Sequence, residues 1–267
     1  MRFCPLYSGS SGNLSFVEAG GVRLLIDCGF PASRAAAALR ERGVAPETVN
    51  GILVTHDHSD HARGVGVFSR KFHVPVYANE ATFRAMDGQV GKLDPSLTRV
   101  FETGRDFYIG GVNVLPVPIP HDAAEPVCFI FTDVDAKLSV ITDAGHFDER
   151  MRMAASGSDL VLLESNHDID MLKAGGYPYP LKRRILGETG HLSNDACGKA
   201  LVELYLMGVR RAVLGHLSGE NNMESLALET VRSVLRQADI PDSAFEVTMA
   251  HRERVGDMYC VSRGLAI

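Results

Sequence analysis

No stretch of this 267-residue chain approaches the roughly 18 consecutive apolar residues that a membrane-spanning helix needs. The opening residues, Met1 to Asn13, lack a basic segment followed by an apolar run, so nothing reads as a secretory leader. Cysteine is scarce: Cys4, Cys28, Cys128, Cys197 and Cys260 form an odd set with no C-x-x-C pair, as expected where thiols stay reduced. A soluble, cytoplasmic protein without membrane contact is the expectation. No Pro-, Ser- or Gln-rich tract is long enough to act as a disordered linker. The length suits one hydrophobic core, so residues 1–267 are read as a single domain. The formal charge of −6 argues against a broad cationic surface of the kind that binds nucleic acid by releasing counterions. It does not exclude a phosphodiester substrate, because two bound M²⁺ ions would bring the total to roughly −2.

What is present is an alternation of short apolar runs with helical periodicity. Val22 to Asp27 reads as a buried strand, followed by a helix from Ser33 to Arg42 with Ser33 as its cap. Gly51 to Thr55 is a second strand, His61 to Phe72 a helix, Val74 to Ala78 a strand and Glu80 to Met86 a helix. From Thr98 to Asp143 the pattern turns to short strands in antiparallel order, with a hairpin across Val134 to Lys137. Alternation resumes with strand Leu160 to Glu164, helix Asn194 to Met207 ended by Gly208, strand Ala212 to Gly215 and helix Met223 to Ala238. Ala196, Ala200 and Leu204 stripe one of these helices, and Leu228, Val231 and Leu235 the other. The reading is layered α/β.

The strongest chemical signal is His56-Asp57-His58-Ser59-Asp60-His61, where the strand Gly51 to Thr55 runs into a helix. Extended residues at i and i+2 project to one side, so His56 and His58 can share a metal. Asp60 and His61 begin the following helix and can face a second. Further candidates stand at the ends of other apolar runs: His121 after Val114 to Pro120, Asp143 after Ser139 to Thr142, and His216 after Ala212 to Gly215. Each would be weak alone, and their shared placement is what gives them weight. Asp27, also at a strand end, is expected to orient a ligand rather than to bind metal. His146 lies near enough to Asp143 to support it, His73 and His251 have no motif around them and read as surface residues, and His167 carries no assignment. Cys28 is expected to pack in the core.

With those motifs in order from Asp27 to His216, the chain resembles a metallo-β-lactamase-fold hydrolase. The resemblance implies a four-layer αββα sandwich. It implies that His56, His58 and His121 hold one divalent ion, that Asp60, His61 and His216 hold the other, and that Asp143 bridges them. Gly190-His191-Leu192-Ser193 ahead of a helix is similar to ribonuclease Z, where such a histidine serves the leaving group beside a glutamate that Glu164 would match. Ser8-Gly9-Ser10-Ser11-Gly12-Asn13, His121-Asp122-Ala123-Ala124-Glu125-Pro126 and Glu164-Ser165-Asn166-His167-Asp168 together look closest to the single-domain YycJ/WalJ-type exonucleases. Those are implied to cut DNA from 5′ ends. The glycine-rich segment would then offer N–H groups to a phosphate or be a plain hairpin turn.

The expected chemistry is a two-metal phosphodiesterase using Zn²⁺ or Mn²⁺, with a metal-bridging hydroxide as nucleophile and His191 as proton donor. His191, Asp60 and Glu164 are the expected catalytic groups. Ser193, Asn166 and Arg183 are expected to touch a nucleic-acid substrate, DNA before RNA. The alternative makes Ser193 a helix cap, His191 a loop residue, Glu164 a solvated strand end and Lys182-Arg183-Arg184 a solvated basic turn. A small-molecule hydrolase for a phosphodiester, thioester or lactone is the rival, and a non-catalytic binding protein the third reading.

Overall fold

Strands form here where apolar residues can be hidden on both faces, and the order in which they pair brings the motif residues to one rim. The computed structural model describes residues 1–262. β1 (Arg2–Tyr7), β2 (Leu14–Ala19) and β3 (Val22–Ile26) form an antiparallel meander. β4 (Gly51–Leu53), β5 (Val76–Ala78) and β6 (Thr98–Val100) then add in parallel, one after another, beside β3. The crossovers carry α1 (Ala32–Glu41), α2 (Ser59–Ala62), α3 (Val65–Phe72) and α4 (Glu80–Ala85).

The second half follows the same plan. β7 (Phe107–Ile109), β8 (Val112–Pro118), β9 (Val127–Asp133) and β10 (Ala136–Ile141) are antiparallel. β11 (Leu160–Glu164), β12 (Arg211–Gly215) and β13 (Glu246–Met249) extend the sheet in parallel. Between them run α5 (Glu149–Ala155), α6 (Ile169–Ala174), α7 (Tyr179–Ile185), α8 (Asn194–Leu206) and α9 (Glu224–Gln237). β14 (Tyr259–Cys260) returns to pair with β1, giving two sheets of seven strands each.

Alternation along the strands builds three cores. Phe3, Val17, Leu24, Phe129, Phe131, Leu162 and Val213 meet between the two sheets. Leu25 and Ile52 face the other way, against Leu39 of α1 and Phe68 of α3. Val161 and Leu163 do the same against Leu201, Leu204, Val231 and Leu235 of α8 and α9. Helix, sheet, sheet and helix are therefore stacked in that order, the αββα arrangement expected. Among the described residues no helix is long and apolar enough to cross a membrane.

Three local expectations are corrected. α1 begins one residue before Ser33, behind Pro31, and no side chain caps it; the fixed φ of proline supplies the entry. The helix expected from His61 to Phe72 is two pieces, because Gly64 turns its N–H to the Cys28 carbonyl (2.7 Å). A Cβ there would lie 1.9 Å from the Phe30 carbonyl oxygen. Thr98 to Val100 is not antiparallel but the parallel edge of the first sheet; its alternation carries no information about strand direction.

Candidate dinuclear metal centre

The motif residues sit where strands end at one rim: Asp27 after β3, His56 to His61 after β4, His121 after β8, Asp143 after β10, Glu164 closing β11 and His216 after β12. Asp27, Asp143 and His216 have φ of 60°, 60° and 54°, a left-handed backbone that non-glycine residues adopt at a cost of about 1 kcal/mol or more each. The sharp exits turn these side chains across the rim instead of along the strand. α2 is tied down by main-chain bonds: Asn13 N–H donates to the Asp60 carbonyl and Cys28 N–H to the His61 carbonyl, both at 2.8 Å. Gly29 makes room for this, since a Cβ there would lie 1.7 Å from the Asp60 carbonyl oxygen.

Hydrogen bonds behind the rings set which nitrogen faces the centre. Asp27 accepts from His61 Nδ1 (2.8 Å) and from the Thr55 N–H and hydroxyl (2.8 and 2.9 Å). Thr55 Oγ1 in turn receives His56 Nδ1 at 3.0 Å. His58 Nε2 points to the Asp122 carbonyl (3.2 Å), His121 Nδ1 to the Gly190 carbonyl (3.2 Å) and His216 Nδ1 to Glu164 (2.7 Å). The remaining nitrogens converge. His56, His58 and His121 place one donor atom each within 4.8 Å of one another, and so do Asp60, His61 and His216. Asp143 reaches both trios, 3.2 Å from His61 Nε2 and 3.8 Å from His121 Nε2.

The donor set fits divalent cations. His56 Nε2, His216 Nε2 and Asp143 Oδ2 are buried with no hydrogen-bond partner, a costly state for polar atoms unless a ligand completes them. Asp27, Asp143 and Glu164 are buried carboxylates in one cluster with the half-covered Asp60, and such a concentration of negative charge needs cations. The protonation balance says the same. Burial favours neutral rings, and it holds His56 well below and His121 below the usual imidazole range. Against that burial, Asp143, Asp27 and Asp60 hold a proton on His61 well above its ordinary value, and Asp143 with Asp60 and Glu164 lifts His216 to about 10. Asp60 and Asp143 stay ionised despite burial because charged His61 and His216 face them. The same carboxylates that favour protonated His61 and His216 would favour a cation between them, and metal binding would release those protons.

His191 stands beside this cluster. Its Nδ1 is 2.8 Å from Glu164 Oε1, while the other Glu164 oxygen accepts the N–H groups of Ala144 (3.0 Å) and Leu192 (3.1 Å). Burial raises the Glu164 carboxyl, but His191 and His216 hold it down at about 2. A cleft of about 320 Å³ opens over the centre, lined by Ser10, His58, Ser59, Asp60, Asp143, Arg184, His191 and His216.

Other expected site residues lie elsewhere. Ser193 caps α8 by accepting from Ala196 N–H, and buried Asn166 donates to the His216 carbonyl (2.9 Å). Neither lines the cleft, and neither does exposed Arg183; its neighbour Arg184 does. His146 is exposed and bonded to Glu188, away from the centre. His251, expected at the surface, is buried against Glu224, while His73 is exposed. His167 is buried with neither ring nitrogen bonded, and burial pushes its pKa down to about 4. The Ser8 to Asn13 segment is a turn closed by Gly12 N–H to the Gly9 carbonyl (2.9 Å), with Ser10 at the cleft. Sequence reasoning missed Thr55, Asp122 and Asn13, whose amide nitrogen lies 2.9 Å from His61 Nε2. Asn13 and Asp122 stand inside motifs described above and Thr55 directly precedes one, but no sequence signal assigns any of them a role.

The chain belongs to the metallo-beta-lactamase superfamily, whose sequence profile matches residues 7–216. It is 38% identical over 248 residues to the exodeoxyribonuclease YycJ of Bacillus anthracis, covering 92% of this chain and 94% of that one. It is also 38% identical over 241 residues to the exodeoxyribonuclease WalJ of Streptococcus pneumoniae R6, covering 90% of each. Among solved structures the metallo-beta-lactamase-fold protein YhfI of Bacillus subtilis superposes with a TM-score of 0.71 at 15% identity, over 97% of this chain and 99% of that one. Human short-form tRNase Z gives 0.62 at 16%, over 98% and 99%. At such identities these two speak for the fold alone.

Proposed function

We propose that the protein is a dinuclear-metal-dependent exodeoxyribonuclease that degrades DNA from 5′ ends. The observation that carries the reading is His191, fixed by Glu164 at 2.8 Å and facing one open cleft with two donor trios. The near-full-length similarity to exodeoxyribonucleases supports DNA as the substrate. His56, His58 and His121 would hold one ion and Asp60, His61 and His216 the other, with Asp143 between them. Imidazole-rich ligation suits Zn²⁺, and Mn²⁺ is the rival. When bound, such a pair supplies a water that is nucleophilic near neutral pH and neutralises charge on the phosphoryl oxygens.

The chain's own residues do the rest. Glu164 anchors Nδ1 of His191 and leaves Nε2 toward the cleft, so a protonated His191 can give its proton to the departing oxygen as the P–O bond breaks. Asp27 and the Asp122 carbonyl hold ligand rings in the tautomer that presents a lone pair. The five cysteines are free, consistent with a reducing compartment, and the cytoplasm is the proposed location.

The test is to incubate metal-loaded protein with single- and double-stranded DNA labelled at either end, RNA, and bis-p-nitrophenyl phosphate, with and without chelator. Chelator-sensitive release of mononucleotides from the 5′ end is expected. Hydrolysis of the chromogenic ester alone would make the protein a small-molecule phosphodiesterase, and silence with every metal would leave a binding protein.

A further inference from the structure

The walls of the cleft are rich in acids and imidazoles, yet a polynucleotide brings several phosphates and the two ions can meet only one. Arg184, on α7, is the single lysine or arginine among the lining residues. We propose that Arg184, set in place by Asp122, holds the phosphate next to the one being cleaved and so makes the site prefer a nucleic-acid strand over an isolated phosphodiester. This rests on the phosphodiesterase reading above and names how the substrate is chosen within it.

Asp122 serves the site with two groups, and its carboxylate also lies 3.6 Å from His121 Nε2. Its carbonyl oxygen receives His58 Nε2 (3.2 Å), and its carboxylate takes Nε and Nη2 of Arg184, the latter at 2.9 Å. One residue thus fixes the guanidinium relative to the metal trio that contains His58. The guanidinium is planar with donors on two usable edges. Asp122 occupies the edge formed by Nε and Nη2, and Nη1 has no partner among the described residues, leaving the other edge for a second anion. Stability is a poor reason for the pair, since the Arg184 side chain is 49% exposed and solvent-screened ion pairs at such positions contribute little. The arginine cannot be neutralised in that setting, because Asp122 raises its pKa further while burial opposes this. Arg183, one residue earlier, is exposed and does not line the cleft, and Lys182 donates to the Lys173 and Gly175 carbonyls (both 2.7 Å), so the basic run of α7 delivers one charge to the cleft.

The experiment compares steady-state cleavage of an end-labelled oligonucleotide and of bis-p-nitrophenyl phosphate by metal-loaded wild type, Arg184→Met, Arg184→Lys and Asp122→Asn over about 50–300 mM salt. In Arg184→Met the ratio of kcat/KM for the oligonucleotide to that for the chromogenic ester should fall roughly tenfold, mainly through KM, as for loss of one charge-assisted bond. The slope of log kcat/KM against log salt should shrink by about 0.7–0.9, one phosphate contact. Arg184→Lys should keep the slope and lose part of the ratio, because it keeps the charge and loses the fork. Asp122→Asn retains the carbonyl that orients His58 but removes a charge 3.6 Å from His121 Nε2, so it is compared after loading to the wild-type metal content, checked by elemental analysis, and the ratio should then fall about threefold. An unchanged ratio and slope in Arg184→Met overturns the proposal, and so does an equal fall on both substrates with the slope preserved. A wild type that cuts the chromogenic ester but no oligonucleotide overturns the nuclease reading itself and takes this proposal with it.

Discussion

Replacing Asp27 by Asn keeps the outline of a buried side chain and reverses the polarity of one of its faces. The carboxylate accepts from Thr55 N–H and from His61 Nδ1, each at 2.8 Å, with the Thr55 hydroxyl shared between its oxygens. In Asp27→Asn the amide oxygen can stay on Thr55 N–H, and the amide N–H then confronts His61 Nδ1. The ring keeps that contact only by moving its proton to Nε2, the nitrogen that faces Asp60 and Asp143. A hydrogen bond to a charged partner is worth about 1.5–3 kcal/mol, which is roughly 10- to 150-fold in affinity. The ion expected between Asp60, His61 and His216 should therefore bind 10- to 100-fold more weakly, in line with losses at other outer-shell carboxylates. The trio of His56, His58 and His121 should lose only about threefold, through Thr55, as a neutral bond weakens. Competition with a chromophoric chelator resolves the two steps, and a thermal melt shows whether the variant is folded. Equal affinity of variant and wild type at both steps would refute this account of His61.

His191→Ala should retain two ions per chain by elemental analysis and lose about 10²- to 10⁴-fold in kcat; unchanged turnover would remove its proposed role. Glu164→Gln turns an amide toward the ring nitrogens of His191 and His216, so a loss of about 1–3 kcal/mol in denaturant unfolding should accompany weaker binding of the second ion. Gly29→Ala drives a methyl into the Asp60 carbonyl, and about 1–3 kcal/mol of destabilisation with a reduced metal content is expected. His167 has a folded pKa near 4 against about 6.5 when unfolded. Its contribution is intact above about pH 6.5 and is lost as the pH falls toward 4, amounting to about 2 kcal/mol by pH 5. His167→Leu should remove that much of the difference in stability between pH 7 and pH 5.

The candidate ligands were legible because their chemistry is local: an alternating His-x-His at a strand end needs no tertiary knowledge to point both rings one way. The layers were legible because Leu24 and Leu25, or Leu162 and Leu163, fill opposite faces of one strand. What escaped was long-range. Arg183 and Arg184 are equivalent as text, and only the docking of α7, with Ile185 buried, decides which one reaches the cleft. His251 lies without a motif, and its burial depends on Glu224 of a distant helix. Ser193 offered a hydroxyl to either a cap or a substrate, and the turn into α8 commits it to the cap. The direction of β6 follows from its neighbour β5, which no alternation of residues encodes.

The shared plan of the two sheets has a mechanical side. Each donor trio takes members from both halves of the chain: His56 and His58 with His121, and Asp60 and His61 with His216. A cation seated in either trio is a rivet through the sandwich, clamping one sheet's rim to the other's. Whatever energy it gains by coordination is available only while the two halves are pressed together, so the centre that cuts would also be the fastener that keeps its own jaws aligned.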